Sequence, residues 1–334
     1  MYFQEKYATI ELESFGGEAF SPLFGVDEMR SAKVRVHAKI NLTLEIVGRE
    51  NGFHQLDSLV ASIELCDTVA LRRRKGALSN IVMHGQGSES IPPERNNALK
   101  AAEEYSSRFH TDGAEITVWK DIPIGGGLGG SSADIAGVLL GMQKLYGAAT
   151  DEELFALADE LGSDVRYMMR GGYARMQGKG ETVTPIDGIK QPFWLLLLCP
   201  KTSVSAGECY RKYDEMNATD APTGATERAI AGLKADGVFG LKDTLYNALY
   251  APAASLCGEV KRAMEEAESF SPIAAVMTGS GSAVAAVFEN REFCDWAKSR
   301  YRGKFRAIVV KTVDPTKKQP FWTFPFALKR DEQE

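Results

Sequence analysis

The chain has 334 residues, of which 25% are charged and 44% hydrophobic, and its formal net charge at pH 7 is −6. This length predicts about two domains, and the negative charge gives no support for a nucleic-acid backbone as partner. The sequence lacks a run of about 18 apolar residues, so no membrane span is predicted. An anionic substrate stays compatible with this charge, provided that positive charge is concentrated at the site.

The five cysteines are scattered along the chain, and none forms a Cys-x-x-Cys or Cys/His pattern of metal ligands. An odd number of scattered cysteines is typical of reduced thiols. The sequence therefore predicts a cytoplasmic protein.

Alternation and helical spacing divide the chain into an extension (1–30), two domains (31–190 and 191–315) and a tail (316–334). In the first domain, strands are predicted at 31–47, 58–65, 67–71 and 114–119, a hairpin at 173–183, and helices at 96–109, 131–145, 150–161 and 163–170. In the second domain, strands are predicted at 193–199, 283–288 and 305–312, and helices at 206–215, 225–233, 241–249, 252–268 and 292–300.

A glycine-rich segment separates the predicted strand at 114–119 from a helix that runs to Leu145. Residues 125–132 hold five glycines and two serines. Glycine lets the backbone turn sharply and approach a ligand closely, and the N–H groups of a helix N-terminus favour an anion. Ser131 or Ser132 is the expected N-cap. The alternative is a flexible loop, but a linker needs neither a following helix nor a capping serine pair.

Residues 123–132, written Pro-x-x-x-Gly-Leu-x-x-Ser-Ser, resemble the phosphate loop of the GHMP kinases, a family that includes galactokinase and the homoserine, mevalonate and phosphomevalonate kinases. Within the family, the chain most resembles the members that phosphorylate a diphosphocytidyl derivative of methylerythritol on a route to isoprenoids. The stretches that carry this resemblance, in the family's order, are 38–42 with 52–54, 125–130 with Ser132, 161–165, and 278–281. The chain departs from the usual loop at Ser131, which replaces a glycine, and at Ala133, which replaces a serine.

The resemblance implies an α+β, two-domain GHMP kinase fold, with an N-terminal domain like domain 2 of ribosomal protein S5 and a ferredoxin-like C-terminal domain. It implies a small-molecule kinase that uses ATP and has its active site between the domains. The ATP-binding residues that it implies are Pro123, Gly125, Gly126, Gly127, Leu128, Gly129, Gly130, Ser131 and Ser132.

The cation beside the phosphates must come from outside the loop, because no Gly-Lys-Ser/Thr sequence follows the glycines as in a Walker loop. The resemblance supplies Lys39, and it implies that Asp164 accepts the proton of the substrate hydroxyl. The residues alone would favour a surface lysine on an edge strand and an aspartate that caps a helix. ATP in turn implies Mg²⁺, for which Ser132, helped by Asp134, is the expected ligand.

The resemblance also implies a cytidine-binding end of the cleft, where two aromatic rings hold the base and a histidine hydrogen-bonds it. The implied residues are Asn41, Phe53, His54 and Tyr210. Phe53 keeps the ring of the family's usual tyrosine without its hydroxyl, and stacking on such rings suits a nucleobase. For Tyr210, packing in the core on a helix is the alternative.

The expected function is phosphorylation of the 2-hydroxyl of this small cytidine diphosphate substrate by a monomer or homodimer that binds neither nucleic acid nor a membrane. Two alternatives stay open. One is another GHMP kinase that acts on homoserine or mevalonate, against which residues 52–54 argue. The other is a relative that binds nucleotide without catalysis, against which Lys39 and Asp164 argue.

Overall fold

The computed structural model describes residues 30–76, 78–88, 92, 96–189, 191–216 and 223–313. The predictions for residues 1–29, for the tail at 316–334 and for most of a loop at 216–224 lie outside the described residues. Within the described ranges, every helix is too short or too polar to cross a lipid bilayer.

Strands and helices of the described residues are labelled in chain order. The strands are β1 Ser31–Asn41, β2 Thr43–Glu50, β3 Phe53–Arg74, β4 Asn80–His84, β5 Gly113–Trp119, β6 Tyr173–Gly178, β7 Thr182–Pro185, β8 Trp194–Cys199, β9 Tyr246–Asn247, β10 Ala274–Met277, β11 Val284–Phe288 and β12 Arg306–Lys311. The α-helices are α1 Asn97–Phe109, α2 Gly130–Tyr146, α3 Asp151–Leu161, α4 Val165–Arg170, α5 Ala206–Glu215, α6 Ala225–Asp236, α7 Tyr250–Leu256, α8 Gly258–Glu268 and α9 Arg291–Arg300.

The first sheet is built around β3, which is 22 residues long and pairs antiparallel with β1, β2, β5 and β6 at different points along its length. β4 joins parallel to β5, and β9 joins parallel to β2. Helix α2 packs on β1 and β3 at very close range. Glycine permits this approach, because a Cβ atom at Gly137 would collide with Val69 and one at Gly141 with Leu71. The sheet and this helix together place the glycine-rich loop at the end of β1.

The predicted strands at 58–65 and 67–71 form one continuous strand, β3. Asp67 interrupts the apolar pattern, yet it is fully buried. Its Oδ1 accepts hydrogen bonds from the backbone N–H groups of Asp121 (2.7 Å) and Ile122 (2.9 Å). A polar residue can therefore continue the strand, since its carboxylate is satisfied within the protein.

The second sheet has the order β10-β11-β8-β12 with every pair antiparallel. Strand β8 is buried on both faces, because alternate residues enter different cores. Leu195 and Leu197 pack with the core of the first sheet, whereas Leu196 and Leu198 pack with that of the second. This explains the uninterrupted apolar sequence at this point. The division of the chain at residue 190 remains a prediction, and α6 and β9, beyond that point, pack on the first sheet.

The helix predicted at 241–249 is wrong. A 3-10 helix occupies Gly237–Leu241, and the next ordered element is the short strand β9. The Asn247 side chain donates hydrogen bonds to the carbonyls of Met277 (2.6 Å) and Gly279 (2.9 Å), which holds it in this extended position. The single helix predicted at 252–268 is instead two helices, α7 and α8, which meet at Cys257 in an extended conformation. Strands β4 and β10 were not predicted.

Candidate active site

The glycine-rich loop is attached by its backbone to both sheets. Leu128 accepts a hydrogen bond from the backbone N–H of Lys39 (3.0 Å) on β1, and Gly126 accepts one from Ala283 (3.1 Å), the residue before β11. The hydroxyl of Thr278 donates to the carbonyl of Gly127 at 3.3 Å. A Cβ atom at Gly127 would collide with the Thr278 carbonyl, so only glycine permits the two loops to touch here.

Helix α2 begins two or three residues earlier than an N-cap at Ser131 or Ser132 requires. Its N-cap is Gly129, with φ of 77°, and no side chain caps it. The prediction that Ser131 or Ser132 is the N-cap is therefore wrong. The left-handed conformation of Gly129 turns the chain into the helix, which leaves both serines in the first turn. Their hydroxyls then stand beside the free N–H groups of the helix N-terminus.

Lys39 and Asp164 face each other across this loop. Lys39 is only 5% exposed, so it is not a surface lysine. Its Nζ lies 3.3 Å from Asp164 Oδ2 and 2.6 Å from Asn41 Oδ1. Asp164 occupies the N-cap position of α4, but its side chain makes no capping hydrogen bond. The carboxylate is 31% exposed and therefore open to a substrate.

Asn41 is held rigidly beside this pair. Its backbone N–H donates to the hydroxyl of Thr278 (2.9 Å), and its side-chain amide donates to Ser58 Oγ (2.8 Å). The hydroxyl of Ser58 in turn donates a hydrogen bond to the backbone carbonyl of Thr43 (2.5 Å). These contacts leave the amide oxygen of Asn41 directed at Lys39.

A buried charge cluster lies behind the loop. Lys120 Nζ contacts a carboxylate oxygen of Asp67, Asp134 Oδ2 at 2.6 Å and the carbonyl of Gly130 at 3.2 Å. Burial would lower the pKa of the Lys120 ammonium, but the two carboxylates outweigh it and raise that pKa. Burial also raises the pKa of the Asp134 carboxyl, opposed by Lys120 and assisted by Asp67. This cluster ties the start of α2 to β3 and β5.

The opposite end of the cleft begins at the hairpin turn between β2 and β3. Asn51 and Gly52 both have positive φ, 50° and 79°, as the two-residue turn of a type I′ hairpin requires. The turn presents Phe53, which is 55% exposed, and then His54. Lys179 Nζ lies 4.4 Å from the centre of the Phe53 ring.

His54 stacks on Tyr210 of α5, with ring centres 4.9 Å apart and planes inclined by 24°. The edge of Tyr213 meets the same imidazole at 5.8 Å. Tyr210 packs against the second core, as the alternative interpretation expected, and it also lines the cleft. Burial and the nearby Asp164 raise the pKa of its phenol, which keeps the ring neutral and suited to stacking.

Asp214 holds His54 in place, and the sequence did not predict it as a site residue. Its Oδ1 lies 2.8 Å from His54 Nε2 and 2.6 Å from a guanidinium nitrogen of Arg49. Burial would raise the pKa of this carboxyl, but the hydrogen bond from His54 and the positive charge of Arg49 lower it. No local pattern marks Asp214, because 160 residues separate it from His54.

One cleft of about 800 Å³ joins the glycine-rich loop, the Lys39–Asp164 pair and the aromatic residues. Every predicted site residue lines it: Lys39, Asn41, Phe53, His54, Pro123, Gly125, Gly126, Gly127, Leu128, Gly129, Gly130, Ser131, Ser132, Asp164 and Tyr210. Sequence reasoning missed the cations Lys120, Lys179 and Arg211 and the carboxylate Asp214, which line it as well. The glycine-rich loop, a lysine–carboxylate pair and a set of stacked rings thus share one space.

The residues present suit Mg²⁺ bound together with a nucleotide. In the described part of the chain, no group of three or more His, Cys, Asp and Glu side chains is arranged to hold a metal. Mg²⁺ commonly keeps several waters and takes one or two protein ligands besides phosphate oxygens. Ser132 and Asp134 line the cleft, and Asp134 Oδ1 is a buried acceptor without a hydrogen-bond partner among the described residues.

Comparison with known proteins agrees with this description. Residues 96–174 match the N-terminal domain of the GHMP kinases, and residues 232–292 match their C-terminal domain. The 4-diphosphocytidyl-2-C-methyl-D-erythritol kinase of Clostridium beijerinckii is 32% identical over 288 residues, which cover 84% of this chain and 100% of the relative. The enzyme of the same name from Symbiobacterium thermophilum is 34% identical, with 84% and 99% covered.

Solved structures give the same result. A crystal structure of 4-(cytidine 5'-diphospho)-2C-methyl-D-erythritol kinase superposes with a TM-score of 0.70 at 29% identity, covering 84% of this chain and 98% of the other. The mevalonate kinase of L. major superposes with a TM-score of 0.68 at 16% identity, covering 85% and 96%, and supports the fold alone.

The fold, the loop and the relatives together define a phosphotransferase class. The chain belongs to the GHMP kinase family and is a small-molecule kinase that uses ATP. The predicted resemblance, the two-domain α+β fold and the enzyme class are confirmed.

Proposed function

We propose that the protein transfers the γ-phosphoryl group of ATP to the 2-hydroxyl of 4-diphosphocytidyl-2-C-methyl-D-erythritol. The observation that carries this proposal is the composition of the cleft: the Lys39–Asp164 pair and the phosphate loop lie at one end, and the stacked His54 and Tyr210 lie at the other. Homoserine and mevalonate have no aromatic base that would use the second end. The names of the relatives agree with this choice of substrate.

Phosphoryl transfer requires positioning and charge stabilisation more than covalent work by the protein. The backbone N–H groups at the start of α2 hold the ATP phosphates, and Lys39 offsets the charge that develops on the transferred group. Asp164 accepts the proton of the substrate 2-hydroxyl as its oxygen attacks the γ-phosphorus. The bond between the γ-phosphorus and the β,γ-bridging oxygen breaks, and ADP leaves with that electron pair.

Ser132 and Asp134 would hold Mg²⁺ in the ATP complex. The metal, when bound, neutralises negative charge on the phosphates. Asp134 suits this role because Lys120 engages only its Oδ2, and Oδ1 has no hydrogen-bond partner within the described residues.

The cytidine diphosphate half of the substrate occupies the other end of the cleft. The base lies against Phe53 and Tyr210 and within reach of His54, since Phe53 is exposed, Tyr210 lines the cleft, and aromatic rings favour stacking with a base. Lys179 and Arg211 line the same end and supply positive charge for the diphosphate. The net charge of −6 is therefore compatible with an anionic substrate.

A substrate panel tests the proposal by following ADP release with saturating ATP. We expect the diphosphocytidyl substrate to give a kcat/KM at least about 100-fold above that for homoserine or mevalonate, because only it fills both ends of the cleft. Comparable turnover of homoserine or mevalonate would assign the chain to another kinase of the family. ATP binding without ADP release for any of the three would indicate a non-catalytic relative.

A further inference from the structure

Asp214 lies where three elements meet, at the end of the cleft lined by Phe53, His54 and Tyr210, which is called the base end because a nucleobase would bind there. It lies on α5, while Arg49 and His54 are opposite one another in the register of β2 and β3. Both side chains reach the same oxygen, Asp214 Oδ1, at 2.6 Å and 2.8 Å. The carboxylate therefore links the helix that carries Tyr210 to the hairpin that carries Phe53.

We propose that Asp214 is a positioning residue that fixes the tautomer of His54 and thereby makes the cleft select cytosine over uracil. The inference rests on the proposed function, because it assumes that a pyrimidine nucleotide binds beside His54. It assigns to Asp214 no contact with the substrate.

The tautomer follows from hydrogen-bond chemistry. An ionised carboxylate only accepts, so His54 Nε2 must carry the hydrogen that bridges to Asp214. In a neutral imidazole, the other nitrogen is then an acceptor. Among the described residues, no hydrogen bond reaches His54 Nδ1, and His54 lines the cleft. Arg49 supplies a compensating positive charge at the same carboxylate oxygen.

The ring has little freedom to turn away from this arrangement. Tyr210 covers one of its faces, and the edge of Tyr213 contacts it at 85° to the ring plane. Asp214 therefore decides which nitrogen donates and which accepts. This dependence on a neighbouring carboxylate is the usual way in which a histidine tautomer is set.

An accepting Nδ1 distinguishes the two pyrimidines. Cytosine carries a 4-amino group, which donates, whereas uracil carries a carbonyl oxygen at the same position, which accepts. Opposite an accepting nitrogen, the cytosine amino group gains a hydrogen bond and the uracil oxygen loses its hydration without replacement. An unmatched polar group of this kind lowers affinity by about 10-fold to 100-fold.

Asp214 can be changed without endangering the fold. Its side chain is 38% exposed and that of Arg49 is 46% exposed, and ion pairs at such positions contribute little to stability. The variant Asp214→Asn keeps the shape but offers His54 either an amide oxygen or an amide N–H, so it allows both tautomers. Glu215→Gln is the matched control, because Glu215 pairs with Lys212 (3.0 Å) one residue further along the same helix.

The experiment measures CDP and UDP binding by calorimetry and the histidine tautomers by ¹⁵N NMR at pH 8. The chain has four histidines, so the His54 signals can be assigned with a His54→Gln sample. We expect the native protein to bind CDP at least about 10-fold more tightly than UDP, with hydrogen on Nε2. In Asp214→Asn, the ratio of the CDP affinity to the UDP affinity should approach one. Both tautomers of His54 should be populated, while the affinity for ATP stays unchanged. Glu215→Gln should behave as the native protein.

Asp214→Ala is the second variant, and it should show the same loss of preference. Hydrogen on Nδ1 in the native protein, or a CDP:UDP ratio that survives both substitutions, would overturn the inference. If the native protein turns over the cytidine substrate and both variants keep the preference for CDP over UDP, the inference is wrong and the proposed function stands. Native protein that binds no CDP would overturn the proposed function and the inference with it.

Discussion

The two ends of the cleft are built in different ways. At the phosphate end, the loop is fixed by backbone hydrogen bonds to both sheets, and Lys39 is 5% exposed. At the base end, Phe53 is 55% exposed, and His54 depends on the surface residue Asp214. The phosphate end is thus determined by the fold itself, whereas the base end is determined by a few side chains.

The difference matches what each end would bind in the proposed reaction. A transferring phosphoryl group needs donors and charges that are already in place, and these act most strongly where water is excluded. A nucleobase needs flat surfaces and a small number of correctly directed hydrogen bonds, which exposed rings can provide. We therefore expect changes at the phosphate end to affect turnover and stability, and changes at the base end to affect substrate affinity.

The largest effect is expected from Asp164→Asn. The amide cannot accept the hydroxyl proton, so kcat should fall by about 10²-fold to 10⁴-fold, while the KM values change little. Initial rates of ADP release measure this, and the thermal unfolding temperature should stay near that of the native protein.

Asp159→Asn is the control for that variant. Asp159 pairs with Arg166 and, like Asp164, has a side chain that is 31% exposed, but it lies outside the cleft lining. Its turnover should be native. Near-native kcat in Asp164→Asn would show that another group takes the proton.

Gly127→Ala should have the next largest effect. The residue has φ of 74°, and its new methyl group would collide with the backbone carbonyl of Thr278. Backbone cannot move aside as a flexible side chain can, so overpacking should cost about 1–3 kcal/mol in addition to the backbone strain. The KM for ATP should rise as well, because the loop shifts away from the phosphates.

Gly147→Ala separates the cost of the steric collision from the cost of the backbone strain. Gly147 has φ of 59°, but no atom of the described residues lies within 4 Å of its added Cβ, so only the strain remains. Thermal or denaturant unfolding of both variants should show the greater loss of stability in Gly127→Ala. Equal losses would show that the contact between the loops is not tight.

The position of the glycine-rich loop was largely predictable from sequence, for a physical reason. Its loop lies between a strand and a helix that are adjacent in the chain, and local patterns mark both. The pairing of Lys39 with Asp164 came only from the resemblance, since the residues alone favoured a surface lysine and a helix cap. The start of α2 was misplaced because the conformation of Gly129 depends on the contacts of the loop with β1.

The groups that support the site were not predictable. Lys120 lies 53 residues from Asp67, and Asp214 lies 160 residues from His54. Only the folded sheet brings such partners together, and single charged residues without a local pattern resemble any solvated surface charge. The same reason explains the wrong helix at 241–249, since the partners of Asn247 are carbonyls about 30 residues further on.

His54→Ala should have the smallest effect of the three variants, and it tests the comparison most directly. Loss of the imidazole removes a hydrogen bond and the ring that packs on Tyr210. Such contacts with a base are worth about 1–3 kcal/mol, so the KM for the cytidine substrate should rise by about 5-fold to 150-fold. The KM for ATP and the kcat should change little, because Lys39 and Asp164 are held by other contacts.

Full initial-rate analysis with both substrates varied separates these constants. If both KM values rise equally, or if kcat falls as in Asp164→Asn, the two ends are coupled, and the base end contributes to positioning the reacting hydroxyl.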